Sequence, residues 1–341
     1  MALSKILPAS QEQYAGARNL IINSAMQVAQ RGASFSTTGS FPVDRFSVGY
    51  GVTGGTFTVS QDTTSPTDFS NSIKYLVGTA ASAGSSEQAF VGTTFEGYST
   101  SHLNFGTSDA KAITLSFWVR SSVTGTYCVA FINNAFDRSY IAEYSISSAD
   151  TWEYKTITVS GDTSGTWVGA VNTRSMLVRF DLGSGSSFNT TAGAWQSGSY
   201  RNTSSQANLV NNASATWYIT GVQLEVGEQA TPFEHRSYGD ELARCQRYYN
   251  RSGTKSIEGY QGLTGYVRGV TVPYSFPVEM RATPTRSTIT QGTMLNVRGS
   301  STSYAGILAV NKYGGSAQVE TNNSTGRFQY VGFEEAFDAE L

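Results

Sequence analysis

The sequence predicts an all-β protein: a jelly-roll β-sandwich followed by a short linking helix and a second, smaller β-domain. Three observations carry that prediction. Many short segments alternate apolar and polar side chains, which is the two-residue period of a half-buried strand. The stretches between them are rich in Gly, Ser, Thr and Asn, residues that favour turns. Only around Tyr238 does the apolar period lengthen to that of a helix.

Taken in order, Met1 to Arg18 has Leu3, Ile6 and Leu7 but no sustained period, and Pro8 interrupts it. It reads as an arm, either disordered or docked on a neighbouring protein. The sandwich is expected from Asn19 to Glu234. Leu20, Ile21, Ile22, Met26 and Val28 give a strand and a bend. Phe46, Val48, Tyr50 and Val52 alternate with polar or small residues, as do Phe57 with Val59, and Gly54-Gly55 reads as a hairpin turn between the two. Ile73, Tyr75 and Val77 follow. Ala112 to Arg120 is the cleanest strand, with Ile113, Leu115, Phe117 and Val119 on one side and Thr114, Ser116, Trp118 and Arg120 on the other. Tyr127, Val129 and Phe131 are expected to form its partner across SSVTGT. SYIAEYSIS and TWEYKTITVS read as a further hairpin through Ser147 to Asp150. Met176, Val178, Phe180 and Leu182 mark another strand, Gly183 to Asn212 a long loop region, and Thr216 to Val226 the last strand of the body.

Thr231-Pro232 ends that strand, because proline has no N–H for a ladder. Tyr238, Leu242, Cys245 and Tyr249 then fall on one face of a helix, so a linking helix is expected within residues 235–249. Ser237 is placed to cap it, and Asp240 and Glu241 suit the positive end of its dipole. Residues 250–341 return to strand patterns: Tyr266 to Val272, Met294 to Val297, Ile307 to Val310, Gln318 to Thr321 and Arg327 to Phe333.

Composition narrows the function. The 341 residues suffice for two well-filled cores. Charged residues are 14% of the chain, against roughly a quarter in an ordinary domain. With 35 Gly, 19 Tyr and 18 Phe, this describes a β-protein with polar but uncharged loops. The net charge is −2 and the 23 Lys and Arg are scattered, which argues against a nucleic-acid partner, since phosphate binding needs clustered cations. The densest group, Arg236, Arg244, Arg247 and Arg251, reads as the solvated side of the helix. MALSKILPAS has one lysine and no long apolar run, so neither a signal peptide nor membrane insertion is expected. Cys128 and Cys245 form no CxxC and no Cys/His quartet, and are expected as buried free thiols. No metal or cofactor is expected.

Asn19 to Gly32 (NLIINSAMQVAQRG), Ile219 to Gly227 (ITGVQLEVG), Ala230 to Tyr249 (ATPFEHRSYGDELARCQRYY), Phe276 to Thr285 (FPVEMRATPT) and the terminal DAEL form a joint pattern. It resembles a recurrent module of tail-fibre and other virion proteins of tailed bacteriophages. The resemblance implies a carbohydrate-binding-module-like sandwich on a phage particle, assembled in the host cytoplasm. It also implies attachment to other virion proteins, here through the N-terminal arm, and a homo-oligomer, commonly a trimer. It brings no catalytic motif.

The candidate chemistry is correspondingly sparse. Glu143 and Glu153 are the best carboxylate pair for glycan cleavage, yet they are expected to face each other across the hairpin as surface decoration. His102 and His235 lack a nucleophile in a recognisable setting. Asp62, Asp68, Asp150 and Asp162 lie in turn-rich loops, where bonds to nearby backbone N–H groups are expected rather than calcium ligation. A sugar ring needs an aromatic face with amide and hydroxyl partners. Trp195, Gln196, Tyr200, Arg201 and Asn202 offer that set in one loop, and Tyr98, His102 and Asn104 in another. The same aromatics are also the kind that pin long loops down. The expected function is thus a non-enzymatic, receptor-binding virion protein engaging host-surface glycan. The alternatives are a decorating or tail-attached protein with no glycan ligand and, third, a glycan-degrading tailspike.

Overall fold

Strands form where the two-residue period is cleanest. The computed structural model describes residues 18–32, 34–253, 255–261, 268–290, 293–295, 304–321 and 326–341. The expected N-terminal arm, apart from Arg18, lies outside them, as do Tyr266 and Val297. The chain divides into two compact units, one ending at Glu241 and the other spanning Leu242–Glu340.

The strands of the first unit are β1 (Ser34–Phe35), β2 (Phe46–Tyr50), β3 (Phe57–Asp62), β4 (Ser72–Val77), β5 (Ala89–Glu96), β6 (Ile113–Ser121), β7 (Gly125–Asn133), β8 (Arg138–Ile146), β9 (Glu153–Val159), β10 (Arg174–Asp181), β11 (Trp195–Ser197) and β12 (Thr216–Val226). They make two antiparallel six-stranded sheets, ordered β1-β3-β4-β12-β6-β9 and β11-β8-β7-β10-β5-β2. The inward faces meet in one core, where Phe117 of the first sheet packs edge-on to Phe180 of the second at 5.1 Å, and Phe180 lies 5.9 Å from Trp217. The expected all-β jelly-roll sandwich is therefore present.

Three expected pairings are not. β2 and β3, β6 and β7, and β8 and β9 are consecutive in sequence, but the members of each pair lie in different sheets. The short connections at Gly54-Gly55, Ser122 to Thr124 and Ser147 to Trp152 are arches between layers rather than hairpin turns. Alternation reports which side of a strand is buried and carries no information about its hydrogen-bonding neighbour. Most connections in this unit cross between sheets, as a jelly roll requires.

The sheet closes at a bulge in β12. Its register against β6 slips between Thr220 and Gln223, and Gly221 sits there at φ +59°. Beyond the bulge β4 no longer pairs, and residues 19–24 take its place: Val222 N donates to Ser24 O (3.0 Å) and Leu20 N to Leu224 O (2.9 Å). Asn19 Oδ1 accepts from the N–H groups of Ile21 and Leu224, each at 3.0 Å. The outgoing chain docks on the same place. Arg236 Nη1 donates to Ile21 O and to Glu241 Oε1, both at 3.0 Å, and Asn19 N donates to Glu234 Oε2 at 2.6 Å. Arg236 is thus no part of a solvated stripe, for its side chain is only 7% exposed.

After a single turn α1 (Gly97–Thr100), the one longer helix described is α2 (Tyr238–Gln246). Ser237 caps it as expected: Asp240 N donates to Ser237 Oγ at 3.2 Å, and that hydroxyl donates to Asp240 Oδ2 at 2.6 Å. Its extent and apolar face differ from expectation. The helix stops at Gln246, Tyr249 opens a strand, Tyr238 is 57% exposed, and Glu241 is buried where it accepts from Asn23 N.

The second unit contains β13 (Tyr249–Arg251), β14 (Lys255–Gln261), β15 (Arg268–Ser275), β16 (Thr285–Thr290), β17 (Thr293–Leu295), β18 (Tyr304–Asn311), β19 (Gly314–Thr321) and β20 (Gly326–Asp338). Long β20 pairs with β13, β14, β16 and β17, while β15, β19 and β18 form a separate sheet. Buried Phe276 and Phe337 meet edge-on at 5.0 Å, with Cys245, Tyr248 and Met280 also buried. Among the described residues, no helix is long and apolar enough to cross a membrane.

Gly221 tests this account of the seam. A Cβ there would lie 2.6 Å from the Phe69 ring and force a left-handed side-chain-bearing residue, so Gly221→Ala should cost about 2 kcal/mol in denaturant unfolding. An unchanged midpoint would mean that the bulge is not formed.

Candidate functional site

Asp181, the last residue of β10, is fully buried and organises the long loops beside it. Its carboxylate accepts from Gly183 N (2.9 Å), Ser184 N (2.8 Å), Ser184 Oγ and Gln206 Nε2. Burial pushes its carboxyl above the ordinary range, against the pull of these hydrogen bonds. A pocket of about 220 Å³ lies among these loops, between Ser82–Ser85, Ser184–Asn189 and Asn202–Asn211. Backbone bonds fix the three segments together: Ser187 N to Ser85 O (2.9 Å), Ala81 N to Val210 O (3.0 Å) and Thr190 N to Asn202 O (3.0 Å).

The wall is built from Ser, Thr, Asn, Gln, Gly and Ala, with no ionisable side chain. Two of its amides are held one way round. Gln206 gives its NH₂ to Asp181 and Asn202 gives its NH₂ to Ser184 O at 2.7 Å, so turning either amide over would set oxygen against oxygen. Their carbonyl oxygens, Asn202 Oδ1 and Gln206 Oε1, are buried without a hydrogen-bond partner. Each such acceptor costs about 1–3 kcal/mol unless something donates to it.

The residues singled out in the sequence separate here. Asn202 lines the pocket. Arg201 is buried next to it, stacked on Phe188 at 3.8 Å, with burial pulling its pKa below the usual value. Tyr200 packs instead on an apolar patch outside the second sheet, formed by Cys128, Ala130, Ile132, Ile141 and Leu177. Trp195 is half-buried in an aromatic cluster, 5.5 Å from Tyr140, 5.5 Å from Trp167 and 5.7 Å from Phe105, and its Nε1 donates to Ser160 O at 2.7 Å. Gln196 bonds within its own loop, to Thr190 and to Thr191 O. The second group does not converge on a pocket. Tyr98 is 60% exposed on α1, His102 is half-buried with its pKa lowered by burial and by Lys111, and Asn104 is an exposed left-handed residue ending the turn.

The carboxylates are also placed. Glu143 and Glu153 do not face each other, because their strands belong to different sheets. Glu143 accepts from Thr203 Oγ1 (2.5 Å) and Ser205 Oγ (2.8 Å), whereas Glu153 accepts from Ser147 N and Ser148 N and pairs with Lys155 at 2.6 Å. Asp62 and Asp162 accept from the N–H groups two residues on, Thr64 and Ser164. Among the described residues no cluster of three or more His, Cys, Asp and Glu could hold a metal ion. Both cysteines are free and buried, and burial pushes the Cys128 thiol up to about 12. Sequence reading missed Ser184 to Asn189, Gln206, Asn208 and Asn211. Their only signal is an Asn- and Ser-rich run, which looks the same in a solvated loop.

No family model matches the chain, and none of the curated proteins matches it in sequence. Among solved structures, a protein of Bacteroides thetaiotaomicron provisionally assigned as sugar-binding is 13% identical, with a TM-score of 0.37, covering 61% of this chain and 100% of that one. A xylan-binding domain of carbohydrate-binding module family 22 is 10% identical, with a TM-score of 0.31 and coverages of 60% and 100%. The family 11 module of a Clostridium thermocellum cellulase is 12% identical, with a TM-score of 0.29 and coverages of 58% and 98%.

Trp195 separates a structural from a ligand-facing aromatic. Removal of a buried ring costs about 3–5 kcal/mol; for this half-buried one, Trp195→Ala should lower stability by about 2–3 kcal/mol in chemical unfolding. A stable variant with impaired ligand binding would return Trp195 to the site.

Proposed function

We propose that this chain is a non-enzymatic virion protein of a tailed bacteriophage that engages host-surface glycan through the pocket between Ser82–Ser85, Ser184–Asn189 and Asn202–Asn211. The observation that carries the glycan reading is the pocket's chemistry. Hydroxyls and amides line it without an ionisable side chain, and two amide oxygens of that wall lack donors. Sugar hydroxyls are donors and acceptors at once and complement such a wall. At about 220 Å³ the pocket is smaller than drug-sized sites, which run to roughly 300–1,000 Å³, so it suits one sugar residue or a chain end. Binding is then weak per copy, and display as a trimer or in larger numbers multiplies it. Support for the virion setting is the sequence pattern from Asn19 to Gly32 and from Ile219 to Tyr249.

A second reading, a decorating or tail-attached protein without a glycan ligand, is favoured by one observation. Trp118 and Tyr154 pair at 5.4 Å on the outer side of the first sheet, and Tyr154 is 45% exposed. Such a ring pair offers a neighbour apolar contact.

Glycan-array binding of the full chain tests the first reading. Ser204 is exposed at the pocket rim, so Ser204→Trp should block the pocket, reducing binding at least about tenfold with an unchanged melting temperature. Undiminished binding would exclude this pocket. Particles that lack the protein yet adsorb normally would favour the decorating reading.

A further inference from the structure

Most arginines whose side chains are well buried in the first unit have a carboxylate. Arg138 forms a fork with Asp162 at 2.6 and 2.9 Å, Arg236 meets Glu241 and Glu234, Arg31 meets Asp44, and Arg120 meets Asp150. Among the described residues, three on the outer side of the second sheet have no ion pair. Arg179 of β10 lies between Gly92 of β5 and Ala130 of β7, and among the described residues its side chain has no hydrogen bond or ion pair. Its guanidinium rests on the Phe90 ring at 4.1 Å and near Phe136 at 5.5 Å. Arg174 stacks on the same Phe136 ring at 5.0 Å, and its Nε donates to Asn134 Oδ1 at 2.9 Å. Arg201 stacks on Phe188, and its Nε and Nη1 are unpartnered although only 8% of the residue is exposed.

Stacking occupies the faces of a guanidinium and leaves its in-plane N–H fork unused. Gly92 is needed beneath it, since a Cβ there would stand 3.1 Å from Arg179 Cγ and 2.6 Å from Val178 O. Burial first, then the like charges of Arg201 and Arg174, pull Arg179 down to about 9, so it is still a cation at neutral pH. Asp181 is a carboxylate felt by both Arg179 and Arg201, and its oxygens are engaged by Gly183, Ser184 and Gln206. A bound oxyanion would supply the missing counter-charge.

We propose that Arg179 and Arg201 bind the anionic group of an acidic saccharide, a carboxylate or a sulfate ester, beside the neutral pocket floored by Asn202 and Gln206. This rests on the glycan reading and narrows its ligand class. Asp181 makes the two parts adjacent, because it holds Gln206 of the pocket while lying on the same outward side of β10 as Arg179.

The test uses the full chain against matched oligosaccharide pairs: uronates with their carboxyl-reduced forms, and sulfated sugars with their desulfated forms. In 20 mM salt the acidic member of a pair should bind at least about tenfold tighter, and the advantage should shrink several-fold at about 300 mM salt. Whichever pair responds identifies carboxylate or sulfate. Arg179→Gln should bring the ratio near one, Arg179→Lys should keep part of the salt dependence while losing most of the preference, and Arg120→Gln on the other sheet should change neither. Should Arg179→Gln fail to fold, the wild-type ratio and its salt dependence decide alone. Equal binding of acidic and neutral members overturns this inference and leaves the glycan reading standing, whereas no binding to either member of any pair removes both.

Discussion

The first unit depends on how β12 is completed after its bulge. β4 pairs only with residues 216–219 of that strand, so the rest of the edge would present bare N–H and C=O groups in the interior. The segment from Asn19 to Ser24 supplies the missing partners, and Arg236 with Glu241 and Glu234 locks that segment in place. Such a buried ion pair is poor at adding net stability but expensive to break singly, since loss of either member strands a charge. Its effect is specificity. The same residues that hold Asn19 and Asn23 cannot be satisfied if the outgoing loop slips by one position.

The site inherits its position from this scaffold through one acid. β10 is central in the second sheet and brings Asp181 to the end where the longest loops gather. Because that carboxylate is sealed from water, it must be met by donors, and the donors it recruits set the turn at Gly183-Ser184 and the orientation of Gln206. The pocket wall follows from that demand. Arg179 and Arg201 feel the same carboxylate, whose oxygens are already engaged by these donors.

Strand existence was legible because burial of one face imposes a period that local sequence must show: Ile113 to Val119 and Tyr127 to Phe131 alternate as the core requires. Pairing was not. The sequence between β6 and β7 has the length and composition of a hairpin turn, and nothing in it distinguishes a turn within a layer from an arch between layers. The helix was legible at its start, where Ser237 caps through its own hydroxyl, and less so at its end, because Tyr249 is as suitable for a strand as for a helical stripe. Arg236 was misread for a related reason. A charge is buried only when partners distant in sequence meet it, and Ile21, Asn19 and Glu241 reach it from both ends of the unit. Asn202 and Arg201 stood out within their loop, whereas Gln206 and Ser184 acquire their roles from Asp181 alone.

The seam on β12 also has a mechanical meaning. Asn19, where the sandwich starts, and Glu234, where it finishes, are joined directly by the 2.6 Å bond from the Asn19 N–H. A pull applied along the chain from outside therefore enters and leaves the sandwich at the same spot. The first contacts to take the load are those of Asn19, Glu234 and Arg236 with one another and with the end of β12. A module strung in this way meets a pull at the seam, where its two chain ends are already tied.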